Sequence, residues 1–123
     1  TKFYHKLGLE TFDDDVRNAL GKDYRIGTNY DDIFKVTKNI IILVGFKPQT
    51  RETVDRDVQL LLDNAELGEI NIVSQEFCYN KGIYDPDIIQ YFMDKWYDTV
   101  KAAKNIEFTA DPSTAWQTNI NAK

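Results

Sequence analysis

The sequence predicts an α+β fold: one two-layer domain with a mixed sheet, about three helices and an extended polar C-terminal tail. Residues 40–46 form a continuous apolar run rich in β-branched side chains, the signature of a strand covered on both faces. Val54, Val58, Leu61, Leu62 and Ala65 recur at the spacing of one helical face. Asp85 followed by Pro86 places a helix cap before a proline at the first helical position, ahead of a second apolar stripe.

Taken in order, residues 2–7 offer a short strand with poor alternation. Thr11 with Asp14 three residues on resembles a capping box, and Asp13, Asp14 and Asp15 suit the positive end of a helix dipole. A helix is therefore expected over 12–20, with Gly21 as its terminator. Gly27, Thr28 and Asn29 mark a turn, and 33–37 read as a strand, with a short helix capped by Asp31 as the rival. The strand 40–46 follows, then a helix over 51–67 stopped by Gly68. Residues 69–79 show a strand pattern whose inward face shifts partway, as at a bulge. Ile89, Phe92, Met93, Trp96, Val100 and Ala103 line a helix over 86–104, and 106–109 suggest a last short strand. This order fits a ferredoxin-like arrangement with C-terminal additions; the alternative is a small three-layer α/β fold with residues 40–44 at its centre. Residues 1–109 are expected to be the compact domain and 110–123 the tail.

Length and composition narrow the classes. A chain of 123 residues can bury one core, and 42% apolar with 28% charged residues argues against wholesale disorder. The net charge of −5 repels a phosphate backbone, so general nucleic-acid binding is not expected. The longest apolar run is too short for a bilayer, so no membrane span is expected either. Cys78 is the single cysteine and cannot form an internal disulfide. The chain begins at Thr1 without Met and shows no signal peptide, which fits initiator removal or a processed precursor and suggests cytoplasmic synthesis.

No local motif announces chemistry. His5 is the lone histidine, and with Cys78 it supplies two ligands at most where zinc needs three or four, so neither metal nor cofactor is expected. A Cys78–His5 nucleophile pair lacks any local feature that would lower the thiol pKa. Ser74 and Ser113 sit in no nucleophile elbow, and the glycines form no phosphate loop. The acidic groups Asp13-Asp14-Asp15, Asp31-Asp32 and Asp85-Asp87 all lie where helix starts or turns explain them. In the tail, Trp116 and Ile120 either fold back onto the domain or anchor on a neighbour.

The expectation that follows is a non-catalytic assembly component of a larger complex, such as a small phage particle or tail subunit incorporated in a virion. It would contact a protein partner or a second copy through Phe108, Trp116 and Ile120. A first alternative is an acidic inhibitor or immunity-type protein that binds a basic toxin or enzyme through Asp13, Asp14, Asp15, Asp31 and Asp32. A second alternative is an enzyme whose site is assembled from dispersed residues.

Overall fold

The computed structural model describes residues 6–22, 24–74 and 81–108. Its strands Leu7–Glu10 (β1), Ile40–Val44 (β2), Gly68–Ile72 (β3) and Ile106–Phe108 (β4) lie side by side in chain order. Every neighbouring pair is parallel. A parallel neighbour requires a crossover back to the starting edge, and such crossovers are right-handed. Successive right-handed crossovers advancing in one direction put their helices on a single face of the sheet.

The crossover helices are Tyr30–Val36 (α2), Arg51–Asn64 (α3), and the pair Pro86–Lys95 (α4) and Tyr97–Ala102 (α5). Their residues Phe34, Val54, Val58, Leu61, Ile88, Phe92 and Val100 share one core with Leu9, Ile40, Ile42, Val44, Ile70 and Ile106. Fully burying side chains of this kind contributes about 1.5–3 kcal/mol each. A short helix, Asp14–Asn18 (α1), lies in the connection between β1 and α2. Its Val16 joins a second cluster with Phe46 and Val73, against which Leu43 and Leu20 pack. That cluster sits at the end of the sheet where β2 and β3 finish.

The mixed, two-layer α+β expectation is therefore corrected to a small α/β domain with an all-parallel sheet. Composition identified strands, but their direction is set by the crossovers. The rival reading with residues 40–44 central comes nearer, since β2 is an interior strand, although α2–α5 all share one core face. Residues 33–36 belong to helix α2, as the rival reading of a short helix had it although the cap is Asn29 and not Asp31, and Thr37 is its extended C-cap. Phe34 turns inward and its ring lies 5.6 Å from that of Phe12, which leaves Val36 84% exposed. The Thr11 capping box does not form. Thr11 Oγ1 accepts from the Asp13 amide, and Asp13 itself caps α1 by accepting from Val16 N.

Helix α3 begins with a capping box between Thr50 and Thr53, and ends at Asn64, where Ala65 turns extended. The helix expected over 86–104 is two helices, broken at Trp96, whose indole N–H donates to Asp55 at 2.8 Å. Asp85 caps α4 as its spacing before Pro86 implies. Of the strand expected over 2–7, residues 2–5 lie outside the described residues; the strand described there is Leu7–Glu10, with an irregularity in register between Gly8 and Glu10. The proposed strand residues 75–79, Thr109 and the tail 110–123 lie outside the described residues. No helix among the described residues is long and apolar enough to cross a membrane.

Candidate functional site

In a parallel sheet all strands finish at the same end, so the residues just beyond them converge, and ligand sites form there. Here that end carries Glu10, the last residue of β1, and Thr11 after it, Gly45 to Gln49 after β2, and Val73 and Ser74 after β3. Along β2 burial alternates, with Ile40, Ile42 and Val44 facing the helices and Ile41 and Leu43 on the opposite face. Glu69 and Asn71 pair in register with Ile41 and Leu43 and share that second face, which α2–α5 leave open and where Leu43 is covered by the cluster of Val16, Phe46 and Val73.

Glu10 is the strained residue of this end. Its φ is 73°, a left-handed conformation in which a side-chain-bearing residue is uncommon. The register irregularity between Gly8 and Glu10 accompanies this turn. A Cβ placed on Gly8 would lie 3.3 Å from Glu10 Oε1, so the carboxylate folds over the open face above Gly8. Lys22 Nζ stands 3.6 Å from that oxygen and donates to the Gly8 carbonyl at 3.2 Å. Burial pushes the Glu10 carboxyl above its ordinary range, and Lys22 draws it partly back. A half-buried carboxylate of this kind can hold an ammonium or hydroxyl group, or exchange a proton.

The backbone around Glu10 is held from both sides. Arg17, fully buried, donates through Nη2 to Thr11 O at 2.7 Å and through Nε to Leu9 O at 3.3 Å. The turn after β2 is held equally firmly. Gln49 Oε1 accepts from the amides of Gly45 and Phe46, while its Nε2 donates to Leu43 O at 2.8 Å. Gly45 adopts φ 116°, and a Cβ there would come within 2.5 Å of Ile89. Both turns therefore present fixed backbone at the strand ends.

At the opposite, N-terminal end of the open face, Lys6 lies 2.7 Å from Glu69 and 2.7 Å from Glu107. The hydrogen bonds that Lys6 donates to Glu107 and Glu69 raise its pKa. This network neutralises two carboxylates on adjacent strands and reads as structural.

Of the residues singled out from sequence, Asp13 caps α1 and pairs with Arg56 at 2.9 Å, while Asp14 turns inward to the Ile26 and Gly27 amides and Arg17. Asp15 is exposed beside Arg25, and Asp31 and Asp32 occupy the exposed first turn of α2. Phe108 packs edge-on to Phe92 and beside Tyr97. These residues do not converge on one surface. His5, Cys78, Trp116 and Ile120 lie outside the described residues. Among the described residues, no group of three His, Cys, Asp or Glu is placed to hold a metal ion. Glu10, Lys22, Arg17, Gln49 and Asp57 were missed: Lys22 and Asp57 act through partners distant in the chain, and Arg17 and Gln49 mainly through backbone atoms of nearby turns that carry no side-chain pattern.

These features define an α/β domain of consecutive parallel strands, with a strained carboxylate at the strand C-termini. No protein-family model matches the chain, and no curated protein matches it in sequence. A solved structure does: the queuine lyase from Clostridium spiroforme, bound to SAM and queuine, superposes with a TM-score of 0.72 at 23% identity. The match covers 90% of this chain and 47% of that one, so the chain spans about half the length of the enzyme it resembles. At this identity the likeness is one of fold.

The match corrects the reading of the chain as a non-catalytic, non-enzymatic structural or virion subunit: the fold it shares is an enzyme's. That reading rested on missing local motifs, and a site dispersed over strand ends leaves no such motif.

Proposed function

We propose that the chain forms part of an enzyme with a dispersed site, lying at the C-terminal ends of β1, β2 and β3 on the open face of the sheet. The observation that supports this reading best is Glu10, a half-buried carboxylate on left-handed backbone. In this reading Glu10 receives an ammonium or hydroxyl donor of the ligand. Lys22 orients the carboxylate, Asn71 supplies amide hydrogen bonds, and Ile41 forms the apolar floor.

SAM and queuine, the ligands of that enzyme, both carry amine and hydroxyl donors, and the donor and acceptor set here fits ligands of that chemistry. Titration calorimetry of the full chain with SAM and with queuine tests the reading. Glu10→Gln is expected to weaken the bound ligand about tenfold or more, the loss of one charge-assisted hydrogen bond. Binding of neither ligand by the unaltered chain, or unchanged affinity in Glu10→Gln, overturns it.

A further inference from the structure

Glu10 needs support, because a residue held in left-handed backbone persists only where its surroundings over-determine it. Arg17 supplies part of that support by gripping the Leu9 and Thr11 carbonyls on either side. The next residue, Phe12, is gripped from a different element. Its N–H donates to Asp57 Oδ1 at 2.9 Å, from a position 45 residues later in helix α3.

Asp57 is only 1% exposed, and beside the Phe12 amide its carboxyl meets the Thr11 hydroxyl, in the same turn. An acid is a costly choice for a buried site where an apolar residue would pack, unless its oxygen has a task. The charged groups around it are few. Arg56, beside it on α3, favours its ionised form and reaches Asp13 at the cap of α1, whose own charge opposes that ionisation.

We propose that Asp57 is a positioning residue for the candidate site: by holding the Phe12 amide it fixes the turn that aims Glu10 over the open face. The proposal deepens the site reading above and rests on it for the role of Glu10. Asp57 touches no ligand in this scheme; it acts through two residues of backbone.

The test labels glutamate side-chain carboxyls with carbon-13 in the full chain, assigns Glu10 by its loss in Glu10→Gln, and follows its signal with the Phe12 amide from pH 5 to 9. In the unaltered protein the two signals are expected to move together as Asp57 titrates. Asp57→Asn, which keeps an acceptor oxygen for Phe12, is expected to abolish that shared inflection while Glu10 retains its own raised titration. Asp57→Ala, which removes the acceptor, is expected to let the Glu10 titration fall toward ordinary carboxylate values and to weaken SAM about tenfold, with Asn restoring most of the affinity.

A Phe12 inflection with none at Glu10 overturns the proposal, and that result needs no variant to fold. A folded Asp57→Ala protein with an unaltered Glu10 titration overturns it as well. Absence of SAM binding in the unaltered protein instead overturns the ligand-site reading, and the carboxyl titrations still decide whether Asp57 positions Glu10.

Discussion

Arg17 has no exposed surface, yet its guanidinium is satisfied by Leu9 O, Thr11 O, Tyr24 O and Asp14. A buried cation is tolerated only with such a complete set of partners. Asp14 is the counter-charge, and its behaviour with pH has a definite sign. Burial alone would raise its carboxyl, but the Ile26 N–H, the Arg17 guanidinium and the Gly27 N–H overcome this and hold it at about 2. The folded value lies below the unfolded one, so its stabilisation is complete above about pH 4 and is lost as the pH falls toward 2. Asp57 has the opposite sign. Burial pushes it up to about 7, so the stability linked to it is complete below about pH 4 and is lost as the pH rises through 7. Thermal unfolding across pH 2–9 is expected to show both slopes. Asp14→Asn should remove the acid-side slope and cost about 2 kcal/mol at neutral pH, whereas Asp57→Asn should flatten the neutral one.

At the level of elements, the turn after β2 joins the sheet to two helices. Gln49 holds it from within, and Lys47 N to Ile83 O and Asp85 N to Gly45 O tie it to the start of α4. Gly45 has two reasons to be glycine: its φ of 116° disfavours any side chain, and a Cβ would meet Ile89 at 2.5 Å. Gly21 has only the first, since at φ 81° a Cβ there would meet nothing within 4 Å. Gly45→Ala is therefore expected to cost about 3 kcal/mol, as strain and overpacking combine, and Gly21→Ala about 1 kcal/mol. Urea unfolding of the two variants separates backbone strain from steric displacement of α4. Equal costs would show that the Ile89 approach relaxes freely.

Across the whole molecule, Lys6 links the first strand to the last two. Glu69 and Glu107 stand directly opposite one another on β3 and β4, and Lys6 reaches both from the start of β1. Without the cation, like charges would face each other across adjacent strands, an arrangement that destabilises a sheet. Lys6→Met is expected to lower stability by about 1 kcal/mol at low salt, with part of the loss recovered at high salt, where the facing carboxylates are screened from one another. Chemical unfolding at the two salt concentrations measures this directly. A salt-independent loss would mean that packing of the lysine stem matters more than its charge.

The sequence by itself determined the local elements that rest on short-range chemistry. The β-branched run at 40–44, the apolar stripe from Val54 to Leu61 and the Asp85-Pro86 cap each carry their signal within a few residues. It could not determine that the sheet is wholly parallel, because strand direction depends on how the crossovers travel. Nor could it decide between a strand and a short helix for Phe34, since the packing of that ring on Phe12 outweighs the strand propensity of the segment. The candidate site was the least legible part. Glu10 is an ordinary residue in sequence; a left-handed turn, Lys22 and the grip of Arg17 and Asp57 on its neighbours make it distinctive. Only the tertiary structure could decide that, because each of those contacts joins residues separated along the chain and has no local pattern to betray it.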